Sequence, residues 1–170
     1  LSPRSRKLFT LSALHFATQE LLREKDVEDF PKASQRSQEF WDAVGEQIPE
    51  WVQVRESRLT AGEVRRDFVH CHAIVLQAIG RAGHDLYEHF PTEAKKRLER
   101  LREVDWSRSN VQVWEGRAMI GGVMAKSGQN VTLTTNEIKK VLGLKLTAEE
   151  QVAENAWAAA RTPLAKAKGK

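Results

Sequence analysis

The sequence has a single cysteine, Cys71, and so has no means of forming an internal disulfide. A reducing, cytosolic setting is the simplest reading of that count. Long apolar runs are also missing. The best stretch, Ala73-Ile74-Val75-Leu76-Gln77-Ala78-Ile79, is short and flanked by charge, which excludes a membrane-spanning helix. The opening Leu1-Ser2-Pro3-Arg4-Ser5-Arg6-Lys7 holds no apolar core of the kind a signal peptide needs. It does not start with methionine, and the expectation is a piece of a longer protein whose missing N-terminal portion carries function of its own. Internal repeats are absent.

What is present suits a folded chain. The 170 residues match one domain, and 41% hydrophobic with 29% charged residues is ordinary for a soluble globular sequence rather than a disordered one. The net charge of +4 favours polyanionic partners, although the value alone decides little. Its distribution says more. Acid gathers between Glu20 and Glu50. Base gathers at Arg4, Arg6 and Lys7, along Lys95, Lys96, Arg97, Arg100 and Arg102, and again at Arg108, Arg117, Lys126, Lys139, Lys140 and the Lys-rich end.

Apolar spacing and capping residues predict a mainly α protein. Ser5 is the expected cap of a first helix running to about Arg23, and Pro31 suits the first turn of a second that stops between Gly45 and Pro49. A short segment around Trp51 follows. Thr60 with Glu63 forms a capping box before a helix over 61–67. Residues 68–89 read as the longest and most apolar helix, placed at the centre of a bundle, with Gly80 and Gly83 on one face to admit a close neighbour. Pro91 ends it, and Thr92 begins another to about Arg102. Glycine is dense from Gly116 to Gly128. Val131-Thr132-Leu133-Thr134 alternates like an extended segment, with Thr135 or Asn136 capping a short helix over 137–142 that Gly143 ends. Thr147 caps a last helix over 148–160. The organisation expected is a helical domain over 1–160, with an irregular Gly-containing basic segment, and a basic, disordered tail over 161–170.

Four groups of residues bear on chemistry. His70, His72, His84 and His89 lie with Asp67 and Cys71 in one stretch, but no His-x-x-x-His pair or second Cys-x-x-Cys arm is present, and buried histidines on a crowded helix account for them better than a metal site. Cys71 beside a histidine has the make-up of a thiolate pair; an inert buried thiol is the better account. Gly80-Arg81-Ala82-Gly83-His84 and Gly116-Arg117-Ala118-Met119-Ile120-Gly121-Gly122 contain glycines, yet neither matches Gly-x-x-x-x-Gly-Lys-Ser/Thr. The second stands near Arg117 and Lys126, where loop N–H groups would suit a phosphate oxygen, or where tight turns need positive φ. Finally, residues 106–140 mix Arg108, Arg117, Lys126, Lys139 and Lys140 with Asn110, Thr135 and Asn136, the residue types that meet phosphates and base edges. A solvated basic surface is the competing reading. Trp41 and Trp51 are assigned to the core, whereas Trp106 and Trp114 flank the basic segment and are candidates for stacking on bases.

Several runs together resemble the DndB family of bacterial DNA phosphorothioation systems. They are Ser5-Arg6-Lys7-Leu8-Phe9-Thr10-Leu11-Ser12-Ala13-Leu14, Phe40-Trp41-Asp42-Ala43-Val44 with Ile48-Pro49-Glu50-Trp51, and Arg65-Arg66-Asp67-Phe68-Val69-His70 with Gly80-x-x-Gly83-His84. Asp105-Trp106-Ser107-Arg108-Ser109-Asn110 with Trp114-Glu115-Gly116-Arg117-Ala118-Met119 is the nearest match, and Leu146-Thr147-Ala148-Glu149-Glu150-Gln151 follows. The resemblance runs in order along nearly the whole chain apart from the Lys-rich end. The family's Asp-Gly-Gln-His-Arg motif, which belongs to its N-terminal half, is absent, as in a C-terminal portion.

The resemblance implies a protein encoded with enzymes that replace a non-bridging phosphate oxygen by sulfur, itself dispensable for that chemistry and acting as a DNA-binding regulator of the modification genes. The sulfur-transfer cysteines and iron–sulfur clusters belong to its partners. The function expected is therefore DNA binding without catalysis, cofactor or metal. Its partners would be promoter DNA, other phosphorothioation proteins and a second copy of the chain, with no membrane. Arg108, Arg117, Lys126, Lys139 and Lys140 are expected on phosphates. Asn110, Thr135 and Asn136 are expected near bases, with Arg4, Arg6 and Lys7 adding sequence-independent attraction. The alternatives are a module that docks on the modification enzymes, or part of a nuclease or NTPase. The scatter of acids over ordinary helices counts against a nuclease metal site.

Overall fold

The computed structural model describes residues 1–2, 4–23 and 29–167, with side chains as far as Arg161. Among the described residues the chain forms nine α-helices and one two-stranded sheet, so the fold is mainly α as the periodicity predicts. The helices are α1 (Leu11–Leu22), α2 (Phe30–Gln47), α3 (Pro49–Arg55), α4 (Ala61–Asp67), α5 (Ala73–His89) and α6 (Ala94–Leu98), the last continued by a 3-10 turn, Glu99–Glu103. Then come α7 (Val111–Trp114), strands β1 (Met119–Ile120) and β2 (Val123–Met124), α8 (Gly128–Val141) and α9 (Ala148–Ala167).

The bundle is organised around α5, which packs chiefly on α1 and α8. Ile74, Val75, Leu76, Ala78, Ile79, Ala82 and Leu86 are all buried, which leaves little of the helix to solvent. Its two glycines set the interhelical distance. A Cβ on Gly80 would lie 2.1 Å from the Ala17 carbonyl oxygen of α1, and one on Gly83 would lie 2.4 Å from the Phe40 ring of α2. Only residues without side chains permit those approaches. Phe40, Leu21, Val44 and Ile48 complete this side of the core.

Several boundaries differ from the sequence expectation, each for a local reason. Thr10, not Ser5, caps α1, its hydroxyl accepting from the Ala13 N–H at 3.0 Å. The described residues before it run outside any helix. The expected helix over 68–89 starts only at Ala73, because Phe68 and Val69 pair instead with the loop after the 3-10 turn: Val69 N–H donates to the Trp106 carbonyl at 2.9 Å, and Phe68 bridges Ser107. As a result α9, with 20 residues, and α2, with 18, are longer than α5, with 17. Most of the expected polar connection over 25–29 lies outside the described residues.

The largest correction is α8. The segment 131–134 is helical, not extended, and neither Thr135 nor Asn136 is a cap. Ser127 starts this helix by accepting from the Asn130 N–H, and Val131, Thr134, Thr135, Ile138 and Leu142 then fall on one buried side. The threonines are tolerated there because their hydroxyls bond the carbonyls of Asn130 and Val131 one turn back, at 2.7 and 2.8 Å. Gly143 follows with φ 73°, as a C′ glycine should. The last helix continues to Ala167, past the expected stop at 160; residues 168–170 of the expected tail lie outside the described residues.

Candidate functional site

The basic residues divide into two sets, and the division follows from what each guanidinium or ammonium touches. The first set is organised by α4. Its capping box, with Thr60 and Glu63 bonded reciprocally, fixes the helix start and so puts Arg65 and Arg66 in its last turn. Arg65 reaches back to the N-terminal segment and donates to the carbonyls of Ser2 at 2.8 Å, Ser5 at 3.1 Å and Lys7. That clamp lays the segment along α4 and leaves Arg4, Arg6 and Lys7 exposed beside it. Between segment and helix runs an open groove of about 650 Å³, lined by Leu8, Phe9, Arg65, Arg66 and His72 among others.

Arg108 continues the same strip. Its backbone N–H donates to the Asp67 carbonyl at 2.8 Å, and its guanidinium bridges the carbonyls of Arg66 at 3.3 Å and Gly122 at 2.6 Å. These bonded partners are carbonyls, so they orient the cation without neutralising it. Asp67, close enough to feel the charge of Arg108, is already paired with Arg66. The bond from Arg66 holds the Asp67 carboxyl below its ordinary value, and the charges of Arg66 and Arg108 add to that effect. At the far end of the strip, β1 and β2 form a hairpin whose turn, Gly121-Gly122, has φ of 58° and 75°, the double positive φ of a type I′ turn. The Glu115 carboxylate accepts from both turn N–H groups, at 2.5 and 3.4 Å.

The second set is tied up in ion pairs. Arg117, expected on a phosphate, is only 1% exposed. It donates to Glu154 at 2.5 and 2.8 Å and to the Leu133 carbonyl at 2.8 Å, lies 3.3 Å from Glu137, and stacks 3.8 Å over the Trp157 ring. Lys139 is buried as well, between Asp85 and Glu150 at 2.5 Å each. Lys140 is half-exposed and paired with Glu137 at 2.7 Å and Glu154 at 3.1 Å. The expectation that these three cations face a polyanion is therefore corrected: their charges are spent on joining α8 to α9 and α5. Burial pushes the Glu154 carboxyl up, but the hydrogen bond and charge of Arg117, with those of Lys140, more than offset it and leave it below its ordinary value.

The polar candidates fare similarly. Thr135 and Asn136 are buried, Asn136 donating to the Glu150 carbonyl at 3.1 Å, so neither stands where a base edge can reach. Asn110 donates to the Asp105 carbonyl at 3.2 Å and is partly exposed at the loop before α7. Lys126 is exposed just after β2. Trp106 and Trp114 are buried and stacked on each other at 5.3 Å, which removes both from the list of base-stacking rings. The strip therefore brings Arg4, Arg6, Lys7 and Arg108 together. The residues that build it, Arg65 and Glu115, are not among the candidates read from the sequence. The capping box ahead of Arg65 was the signal that placed it at a helix end.

Three of the histidines, His70, His72 and His84, hold structural contacts. His70 accepts from Trp51 Nε1 at its Nδ1, 2.9 Å away, so its proton sits on Nε2, which donates to Glu50 at 3.2 Å. His84 and His72 bond the carbonyls of Leu21 and Arg65, each at 3.0 Å. Burial pushes the Cys71 thiol up to about 12, so it stays protonated and is no nucleophile at neutral pH.

Fold and surface together define a mainly α-helical protein with a cationic strip built by its N-terminal segment, the end of α4 and Arg108. Residues 1–145 match the family model of DndB, described as DNA-sulfur modification-associated, and the chain belongs to that family, which ties it to a DNA sulfur-modification system. Neither a curated protein nor a solved structure matches the chain.

Proposed function

We propose that the chain is a DNA-binding accessory protein of its sulfur-modification system, one that regulates the expression or extent of modification rather than performing it. The observation that carries this reading is the bridge made by Arg108 between α4 and the hairpin, with Arg65 holding Arg4, Arg6 and Lys7 on the same strip. Each of these cations is positioned through backbone carbonyls or left exposed, whereas Arg117, Lys139 and Lys140 are neutralised by carboxylates. A surface of that kind attracts a duplex backbone and releases its counterions. The protonated Cys71 and the histidines bonded to structural partners support a role without catalysis. Duplex DNA from the operon promoter is the partner, and other proteins of the system would act alongside.

Titrating the chain against promoter duplex at increasing salt tests this. If Arg4, Arg6, Lys7, Arg108 and Lys126 each meet a phosphate, the logarithm of affinity falls with the logarithm of salt with a slope of about −4.5, roughly 0.9 per contact. Binding that is absent at low salt, or indifferent to salt, would refute it. A pull-down of modification enzymes by a chain that shifts no DNA would favour a docking module instead.

A further inference from the structure

The hairpin carries a feature that cations alone do not explain. Ile120 and Val123 are cross-strand partners on β1 and β2, so their side chains stand next to each other on one face of the ribbon. They are 59% and 69% exposed. Single exposed aliphatic residues are common and need no account. Here two sit together at the tip of the only strand pair among the described residues. The tip is stiffened from both sides: the Glu115 carboxylate holds the turn N–H groups, and Arg108 donates to the Gly122 carbonyl from the opposite chain segment. The ribbon is narrow, with two residues per strand and no side chains on the turn itself. Arg108 stands at the turn through its bond to Gly122, and Lys126 follows two residues after β2.

We propose that this tip is an apolar wedge that enters the minor groove of duplex DNA and partly unstacks a base step, with Arg108 and Lys126 on the phosphates to either side. The inference rests on the DNA-binding reading above and adds to it a mode of engagement, by deformation rather than by base-edge hydrogen bonds. Three physical points favour DNA as the occupant. Aliphatic side chains between base steps, flanked by Arg or Lys, are a known way to kink a duplex towards the major groove. A rigid tip loses little conformational entropy on insertion, and its bracing bonds come from Glu115 and Arg108 rather than from the aliphatic pair itself. Of the charges beside the tip, the Glu115 carboxylate is taken up by the turn N–H groups, whereas the Arg108 guanidinium is bonded to carbonyls and Lys126 is exposed, a net positive balance that complements a phosphate backbone better than it would an apolar protein surface.

The test uses the full chain and a promoter duplex of about 30 base pairs containing flexible TpA or CpA steps. The duplex carries end dyes for energy transfer and 2-aminopurine beside those steps. Wild-type protein should shorten the end-to-end distance and raise 2-aminopurine fluorescence at one step. Ile120→Ser with Val123→Ser should remove both signals. It should also weaken binding about tenfold or more, the equivalent of forgoing burial of two half-exposed aliphatic side chains. Thermal stability should be unchanged, since both side chains are already exposed. Arg108→Ala should lower affinity and the salt slope together. Two results would overturn the wedge while leaving DNA binding intact: wild-type binding to a duplex that stays straight and stacked, or a doubly substituted protein that bends it as the wild type does. Failure of the wild type to bind at low salt would remove the DNA reading and the wedge with it.

Discussion

Changing Glu154 to glutamine should destabilise the protein through a residue it does not itself expose, Arg117. The substitution keeps the shape of the side chain and one acceptor oxygen but removes the charge opposite a guanidinium that is 1% exposed. Removing one partner of a buried ion pair costs about 3–5 kcal/mol, because the other charge stays buried without compensation. Arg117 would retain the Leu133 carbonyl at 2.8 Å, the Trp157 ring at 3.8 Å and Glu137 at 3.3 Å. The expected loss is therefore at the low end, about 3 kcal/mol, which for a chain of this size lowers Tm by about 6–12 °C. Urea and thermal unfolding at neutral pH measure it. Lys140→Ala, which removes a half-exposed partner of the same carboxylate, should cost under about 1 kcal/mol. The paired change Arg117→Met with Glu154→Leu should recover most of the loss, since well-packed apolar replacements of buried ion pairs are often neutral or better. A Glu154→Gln protein within about 0.5 kcal/mol of wild type would refute the claim that α9 is held through Arg117.

Stability should fall with acid in two stages. Burial holds the His70 imidazole below its ordinary value against the opposing Glu50 bond, so the unfolded chain takes up that proton first, and stability declines as pH drops below about 6.5. The carboxyls of Glu20, Glu50 and Glu154 are held below the ordinary 4.5, so their contribution is present above that value and is lost as pH falls beneath it. Tm measured against pH should show both declines, and His70→Gln should shrink the upper one; an unaltered profile would count against the buried neutral imidazole. Gly83→Ala places a methyl 2.4 Å from the Phe40 ring and should cost about 1–3 kcal/mol in urea unfolding, with Gly80→Ala worse because it meets the Ala17 backbone. Lys126→Ala should weaken DNA binding and reduce the salt slope by about 0.9 without loss of stability, whereas Lys139→Met should lower Tm and leave the slope alone; the reverse pattern would overturn the assignment of the two basic sets.

Helical class, the α4 capping box, the two close-approach glycines and the C′ glycine at Gly143 were legible in the sequence, because each rests on residues within a few positions of one another. Where two local signals competed, tertiary context chose between them. Val131-Thr132-Leu133-Thr134 alternates as a strand would, yet the same residues with Ile138 and Leu142 satisfy a helical spacing, and Ser127 supplies the cap. A helix there closes the core over α5, while among the described residues a strand would have found only the two-residue hairpin strands for pairing. Residues 68–72 read as helical on apolar content, but Val69 is buried through its bond to the Trp106 carbonyl, a partner that lies far along the chain.

The functional surface was legible only in part, and the reason is electrostatic. A cation in a sequence carries no mark of whether an acid will meet it in the fold. Arg117 and Glu154 are 37 positions apart, and Lys139 meets both Asp85 on α5 and Glu150 on α9. These pairings turn the most basic part of the C-terminal half into an internal joint. Arg108 sits in the same stretch and had the same claim on a phosphate, but the fold gives it carbonyls, which orient a guanidinium and leave its charge acting outward. The difference lies in the partner's charge and not in the bond count, since Arg117 and Arg108 are both well bonded. A cation bound to carboxylates has exchanged its long-range field for stability, whereas one bound to backbone dipoles keeps most of that field. On this ground the proposed DNA contact is the strip from the N-terminal segment to the hairpin, and not the face of α8.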